Sequence, residues 1–398
     1  MKKVYSPIRI SDVKVDNSKL GFDVENRQDF SNLNRLEIKW KVNDESGTVR
    51  SDVVPRSKGT VTIPLKSKPA AGSALELEFI DPRDFVVDTF KLPIGDPVVK
   101  KADPKAKEVY TVSKGDDSIR IQGKSTSYVI NASTGLFENV KVGGKQFAVD
   151  GPHLMVLPLN RDGITRMEPK DQPIKYAAFT PTCEDWKPTS VDFTSENNLP
   201  VVTVRGAYKE AEGAFTYRFN ADGTFTVDYD FNMLMDVNPR QTGVVFDLQS
   251  RFETLHWKRK GRWTTYPDWD IVRLEGTANA NDGVEATCVG VRTEPRHPWR
   301  LDRTAIGSND FASTKHNIYT ASLTDHTGLG LQVLANADRH TRTWIADSSI
   351  RLLIADYSNG GKGWVLWKRQ AKKDYRPLKK GDPVSGNATL KVIGGNQD

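Results

Sequence analysis

Apolar and polar residues alternate with a period of two along most of the chain. The clearest case is a pair of alternating runs on either side of the turn sequence Asn220-Ala-Asp-Gly223. The apolar positions of these runs are Phe215, Tyr217, Phe219, Phe225, Val227, Tyr229 and Phe231. Such alternation is typical of antiparallel strands with one buried and one solvated face. We therefore predict a β-hairpin over residues 215–231.

The first 95 residues contain about seven alternating runs at a spacing of roughly ten residues, which is typical of a small β-sandwich. We predict that their apolar positions form its core, namely Leu36, Ile38, Trp40, Val42, Val61, Ile63, Leu65, Leu75, Leu77, Phe79, Phe85, Val87 and Leu92. The pattern predicts an immunoglobulin-like sandwich over residues 1–95.

Residues 96–108 interrupt the alternation. This stretch holds two prolines and four lysines and shows no apolar alternation, which is typical of a linker. Alternating runs resume at Tyr110 and continue to about Ile393, with a hairpin turn at Gly143-Gly144. We predict a linker over residues 96–108 and a single large all-β domain over residues 109–398.

Helical periodicity is almost absent. A (β/α)8 barrel requires about 250 residues of alternating strand and amphipathic helix, and the sequence offers no such pattern. We therefore predict an all-β chain that lacks the barrel on which glycosidases commonly carry their catalytic carboxylates. No catalytic residue is assigned.

Charge and hydropathy argue against a nucleic-acid partner and against insertion into a membrane. The 398 residues include 57 Lys and Arg against 51 Asp and Glu, a net charge of +6, and the charges are interspersed, whereas a nucleic-acid site requires clustering. No apolar run approaches about 18 residues, so we predict no membrane span. The N-terminus lacks the apolar core of an export signal, which favours the cytoplasm, although a truncated reading frame would leave the periplasm or secretion open.

Metal and cofactor chemistry finds little support in the sequence. Two cysteines, Cys183 and Cys288, are too few for a four-thiolate zinc site. The six histidines have no metal-binding spacing, and phosphate-binding loops and a nucleophile elbow are missing. We predict no metal and no cofactor.

An aromatic block between Trp257 and Trp269 is the strongest candidate for ligand chemistry. Sugars stack their C–H faces on aromatic rings while neighbouring polar groups bind their hydroxyls. Aromatic core residues beside a structural turn are the alternative explanation. The candidate sugar-binding residues, including four polar or aromatic positions nearer the C-terminus, are Trp257, Trp263, Tyr266, Asp268, Trp269, His340, Trp344, Asp356 and Trp364.

The same block carries a family resemblance. Trp257, Gly261, Tyr266, Pro267 and Asp268 reproduce the W-x-x-x-G-x-x-x-x-Y-P-D motif that is typical of the C-terminal domain of glycoside hydrolase family 2 β-galactosidases. Further segments resemble the same family in the same order; these are residues 26–40, 151–162, 307–318 and 354–364. The resemblance therefore extends over nearly the whole chain.

The resemblance implies an immunoglobulin-like sandwich followed by a large galactose-mutarotase-like β-supersandwich. It also implies a non-catalytic accessory region or small subunit of a β-galactosidase-like O-glycosyl hydrolase, which packs on a separately encoded catalytic barrel, helps to shape its sugar site and is inactive alone. The implied partners are the barrel chain, or further copies of this chain, and a galactoside or related glycan. The alternative is a free-standing carbohydrate-binding β-sandwich protein. Sugar, linkage and oligomeric state remain open.

Overall fold

A computed structural model describes residues 6–70, 72–95, 108–158, 183–260, 274–280, 314–346, 348–358 and 376–394. These residues form strands and connecting turns, with one short 3-10 helix at Leu33–Arg35 and no α-helix among them. The strands fall into two compact units, of which the first contains all strands up to residue 93 and the second all strands from residue 111. The predicted linker lies outside the described residues except for Glu108, and the predicted domain boundaries stay a proposal.

The first unit is a sandwich of seven antiparallel strands. A three-stranded sheet has the order β1-β2-β5, and a four-stranded sheet has the order β4-β3-β6-β7. The strands are β1 (Ile8–Asp16), β2 (Lys19–Asn26), β3 (Glu37–Val42), β4 (Glu45–Val49), β5 (Ser57–Pro64), β6 (Ala74–Ile80) and β7 (Val86–Pro93).

The core of the first unit consists of the alternating apolar residues that face each other between the two sheets, including Leu20, Phe22, Ile38, Ile63 and Phe79, which are all buried. The predicted immunoglobulin-like sandwich is thereby confirmed. The prediction that Phe85 is a core position is wrong. Phe85 lies in the turn between β6 and β7 and is 62% exposed, because that turn ends before the inward alternation of β7 begins.

The second unit is one large antiparallel sheet. Thirteen strands follow each other in the order β13-β14-β15-β16-β23-β21-β22-β17-β12-β11-β10-β9-β8, and β18, β19 and β20 branch from β21. The strands are β8 (Thr111–Lys114), β9 (Ser118–Gln122), β10 (Thr126–Asn131), β11 (Phe137–Val142), β12 (Lys145–Pro158), β13 (Lys187–Glu196), β14 (Leu199–Ala207), β15 (Ala211–Phe219), β16 (Thr224–Met233), β17 (Pro239–Gln249), β18 (Thr254–Arg259), β19 (Glu275–Asn279), β20 (Lys315–Thr324), β21 (Gly330–Ala346), β22 (Ser349–Ser358) and β23 (Pro383–Ile393).

This sheet curls until distant strands face each other. Strands β11 and β16 are six places apart in the sheet, yet the Phe137 ring lies 5.2 Å from the ring of Phe225 and 5.0 Å from that of Tyr217 on β15. The Tyr217 hydroxyl donates to the carbonyl of Gly135 at 2.8 Å. Two layers of one sheet thus enclose a shared aromatic core, which confirms the predicted supersandwich.

The predicted hairpin over residues 215–231 is confirmed. Strands β15 and β16 pair in register, with Phe219 opposite Phe225 and Phe215 opposite Tyr229. In the intervening turn, Asp222 accepts from the backbone N–H of Thr224 at 2.9 Å, so a short polar side chain closes the turn as expected. None of the helices in the described part of the chain is long and apolar enough to cross a bilayer.

Candidate functional site

Four of the nine predicted sugar-binding residues lie in the described part of the chain. They are Trp257 on β18, His340 and Trp344 on β21 and Asp356 on β22. The other five lie outside the described residues, namely Trp263, Tyr266, Asp268, Trp269 and Trp364. The structure brings His340, Trp344 and Asp356 onto two adjacent strands, with β18 two strands away.

Asp356 occupies an irregularity in the pairing of β22 with β17. Thr242 pairs with Tyr357, but the next residue, Gly243, pairs with Ala355, so that Asp356 has no partner of its own. Its Oδ1 accepts hydrogen bonds from the Tyr229 hydroxyl and from the Thr242 hydroxyl, the latter at 3.0 Å. A β-bulge re-aims a side chain in this way, and here it turns a carboxyl group toward two hydroxyl donors.

Burial raises the pKa of Asp356 above its ordinary value of 3.8, and the hydrogen bonds from Tyr229 and Thr242 lower it in part. The carboxyl group therefore retains its proton to higher pH in the folded chain than in the unfolded chain. A carboxyl group in such a setting can both donate and accept hydrogen bonds. This is the polar chemistry that a bound hydroxyl compound requires.

We expect Asp356→Asn to remove one component of the pH dependence of stability. As pH rises above about 3.8, the unfolded chain loses this proton first, so Asp356 lowers the free energy of unfolding until the folded group ionises as well. Asparagine has no such proton. Urea unfolding measured at successive pH values from about 4 upward should show a shallower decline in the variant.

Thr242→Val provides the matched control. It removes one donor that lowers the pKa of Asp356, so the decline should extend to higher pH than in the parent chain. Identical pH profiles for the parent chain and Asp356→Asn would contradict the assignment.

Trp257 lies in the core of the second unit and is 7% exposed. The Lys315 ammonium lies 4.4 Å from the centre of its ring. Gly276, its partner on β19, makes room for the ring, since a Cβ there would lie 2.6 Å from the ring atom Cζ2. The ring thus has a glycine and a cation as neighbours, an arrangement that stabilises a buried aromatic residue. Its predicted role in sugar binding stays a prediction.

His340, Arg342 and Trp344 are alternate residues of β21 and share one face of the sheet. That face is opposite to the aromatic core and carries a second, smaller apolar cluster to which Trp344 belongs. The Arg342 guanidinium lies 4.3 Å from the centre of the Trp344 ring. His340 Nδ1 accepts the backbone N–H of Asn317 at 3.0 Å, which fixes the ring and leaves Nε2 as its protonated nitrogen when neutral.

Sequence reasoning did not identify several buried polar residues beside these candidates. Gln241 on β17 is fully buried, and its Nε2 donates to the hydroxyls of Thr314 at 3.2 Å and Ser358 at 3.0 Å. On the same sheet the half-buried Arg351 pairs with the half-buried Asp247 at 3.0 Å. Their only signal in the sequence is a polar residue at an inward position of an alternating run, and this cannot be recognised before the register is known.

Metal binding has no support within the described ranges, because no group of three His, Cys, Asp or Glu side chains there has the geometry to hold an ion. Cys183 is buried, and burial raises the pKa of its thiol. A thiol in this state is a poor nucleophile.

Comparison with solved structures gives distant similarities. The chain is similar to a galactose 1-epimerase from Lactobacillus acidophilus NCFM, with 9% identity and a TM-score of 0.32, covering 73% of this chain and 100% of that one. It is also similar to a heparan sulfate lyase from Pedobacter heparinus, with 12% identity and a TM-score of 0.30, covering 77% of this chain and 38% of that one. Similarity at this low identity and TM-score supports no conclusion about the activity of this chain.

Comparison with protein families is more specific. A search of curated proteins by sequence finds no match. Two family models do match, namely β-galactosidase, domain 4, over residues 22–86 and β-galactosidase small chain over residues 122–271. The first covers most of the sandwich and the second covers strands β10 to β18 of the large sheet. These two matches, in this order along the chain, show that it is related to the C-terminal accessory region of the β-galactosidases.

Proposed function

We propose that the chain is a non-catalytic accessory region or small subunit of a β-galactosidase-like glycoside hydrolase. It packs on a catalytic barrel carried by another chain and helps to shape the sugar site of that barrel. The two family matches support the kinship. The observation that supports docking on a partner is a set of exposed apolar side chains at one end of the first unit.

Strand register places three loops of the first unit at the same end. Residue 26 at the end of β2 lies opposite residue 57 at the start of β5, so the loops 27–36 and 50–56 leave the three-stranded sheet together. These loops lead to and from residues 37 and 49 of the other sheet, where residue 37 lies opposite residue 80. The turn 81–85 follows residue 80 directly. We call this end the apolar tip.

Each loop of the apolar tip exposes one large apolar side chain. Phe30 is 95% exposed, Phe85 62% and Val54 53%. Single exposed apolar residues are ordinary, but a group of them at one end of a domain marks an interaction surface. The loops are held in place, since the Leu33 N–H donates to the Val53 carbonyl at 3.0 Å and Arg56 pairs with Asp29 at 2.7 Å. A preorganised aromatic anchor loses little entropy on binding.

We expect Phe30→Ser to weaken association with the catalytic chain by about tenfold or more, because buried aromatic anchors commonly contribute 2 kcal/mol or more to an interface. The partner to use is the β-galactosidase-like barrel chain encoded in the same genome. Sedimentation velocity measures the complex, and hydrolysis of a chromogenic β-galactoside by the barrel chain, with and without this chain, measures its effect on activity.

Lys41→Ser is the matched control. Lys41 is exposed on β3 at the opposite end of the same sandwich, so this variant should bind the barrel chain as the parent does. Equal affinity of Phe30→Ser and the parent chain would contradict docking through the apolar tip. Turnover of the galactoside by this chain alone would contradict the accessory role. If the parent chain associates with itself and Phe30→Ser does not, the apolar tip binds a second copy of this chain and not the barrel.

A further inference from the structure

Strand β13 forms one edge of the large sheet. It pairs with β14 on one side, and no other strand of the described part of the chain pairs with its second side. With ten residues it is long for an edge strand, whereas β8 at the opposite edge has four. An open edge presents a row of backbone N–H and C=O groups with which another chain can pair.

The turn after β13 determines which of its backbone groups face the open side. Asn197 and Asn198 join Glu196 to Leu199, and both have positive φ angles, 52° and 63°. This is the conformation of a type I′ hairpin turn. The residues on either side of such a turn are bonded to each other through their backbones, so the backbone groups of Glu196 face β14.

Backbone groups of an antiparallel strand face its two neighbours alternately. Counting back from Glu196 along regular pairing with β14, Thr194 also directs its N–H and C=O groups to β14. Those of the alternate residues Ser195, Phe193 and Val191 therefore face the open side. These three residues provide the backbone groups that a further strand would bind.

The second half of β13 lacks the features that usually protect an open edge. Proline, lysine and bulges serve this purpose, but Pro188 and the bulge of β13 both lie in its first half. The two carboxylates of the second half are paired within the sheet, since Asp192 lies 2.8 Å from Arg205 and Glu196 lies 3.0 Å from Arg218. Uncompensated charge therefore does not repel a further strand here.

The apolar core is also open at this edge. Phe193 lies opposite Val202, which is fully buried in the core, yet Phe193 itself is 37% exposed. Val191 lies opposite the buried Val204 and is likewise only partly buried. An added strand would cover the Phe193 ring while it bonds the open backbone groups.

We propose that β13 pairs with β13 of a second copy of this chain, antiparallel about a twofold axis at Phe193, so that the two large sheets become one. A twofold axis perpendicular to the sheet keeps each residue on its own face, and the same segment serves both partners. In this register Phe193 lies opposite its own copy and Val191 lies opposite Ser195. All outward backbone groups of these three residues are then bonded.

The other face of the strand fits the same register. Asp192 lies opposite Thr194 of the second copy and Ser190 lies opposite Glu196, so each carboxylate faces a hydroxyl donor. Sliding one strand by two residues in one direction brings Asp192 against its own copy, which places like charges together. Sliding it in the other direction carries Val191 into the turn of the second copy and leaves its backbone groups unbonded. The self-complementary register is the reason for choosing a second copy as the partner.

Sedimentation velocity of the full chain between about 10 µM and 1 mM tests the proposal. A single strand pair is smaller than a stable interface of about 1,000 Å², so we expect a weak dimer with a dissociation constant of about 0.1 mM. Phe193→Lys places two ammonium groups opposite each other at the axis and should weaken self-association at least about tenfold.

Thr194→Lys is the matched control, because it adds the same charge to the same strand on the other face. There the new side chain lies opposite Asp192 of the second copy, so this variant should associate at least as tightly as the parent chain. Equal self-association of Phe193→Lys and the parent chain would overturn the inference.

Hydrogen exchange in the parent chain provides a second measurement that needs no variant. The backbone N–H groups of Val191, Phe193 and Ser195 should exchange more slowly as the chain concentration rises. The N–H group of Thr194, which already binds β14, should show no such change. A chain that stays monomeric up to about 1 mM, or protection of the three groups that does not depend on concentration, would overturn the inference.

This interface goes beyond the proposed function, because β13 belongs to the second unit and the apolar tip to the first. Phe30→Ser should leave self-association through β13 intact, and Phe193→Lys should leave binding of the barrel chain intact. Loss of barrel binding in Phe193→Lys, without self-association of the parent chain, would overturn the inference in favour of the barrel as the partner of this edge.

Discussion

Replacing Phe137 with alanine is expected to lower the free energy of unfolding of the second unit by about 3–5 kcal/mol, the usual range for a buried Phe. Phe137 is fully buried at the centre of the aromatic core. Its ring contacts rings from both layers of the curled sheet, at 6.3 Å for Tyr128, 5.0 Å for Tyr217 and 5.2 Å for Phe225. The substitution leaves a cavity between the layers and removes one edge-to-face and two tilted ring contacts at once.

Urea unfolding followed by near-ultraviolet circular dichroism measures this loss. Phe193→Ala is the matched control, because Phe193 lies on the edge strand β13 and is 37% exposed. It should cost less than about 1 kcal/mol, since little apolar surface is lost from the core. Equal losses for the two variants would contradict a core shared by the two layers.

The local part of this fold follows from sequence alone. The hairpin of β15 and β16 is encoded by alternating aromatic residues and by a turn sequence whose side chains bond their own backbone. Pairing between strands that are far apart in the sequence cannot be predicted in this way. β16 pairs with β23, more than 150 residues later, in the register Phe225 to Leu390, and any alternating run could offer a similar apolar face.

Apolar residues outside strands limit the prediction of the core. Phe85 continues the alternation of its neighbours, but it lies beyond the end of the pairing between β6 and β7. Phe30 lies in a loop, and the sequence contains nothing that distinguishes an exposed aromatic residue there from a buried one. The apolar tip becomes visible only when register places three loops at one end of the sandwich.

The polar contacts of the candidate site also could not be predicted from the sequence. Asp356 was predicted from its place in a motif, but its two hydroxyl donors belong to β16 and β17, which are remote in sequence. A bulge changes which side chains face inward, and a single sequence gives no sign of where one occurs. The ammonium group above the Trp257 ring likewise belongs to a residue remote in sequence, Lys315 on β20.

Gly243→Ala is expected to destabilise the second unit by about 3 kcal/mol, at the upper end of the usual cost of overpacking. A Cβ on Gly243 would lie 2.1 Å from the Ile354 carbonyl oxygen and 2.7 Å from the Ala355 Cα. Both are backbone atoms of the neighbouring strand and cannot rotate away. β17 and β22 would have to separate at the bulge that positions Asp356.

Gly115→Ala tests whether the effect arises from this close contact or from the general loss of a glycine. A Cβ on Gly115 meets only the Ser118 carbonyl oxygen at 3.7 Å, an ordinary contact, so that variant should be neutral or more stable by about 0.4–1 kcal/mol through the unfolded chain. Separation of the strands would also lengthen the bond from Thr242 to Asp356, which is 3.0 Å in the parent chain. Since that bond lowers the pKa of Asp356, the decline of stability with rising pH should extend to higher pH in Gly243→Ala. A variant that unfolds like Gly115→Ala would show that the two strands are not in contact at Gly243.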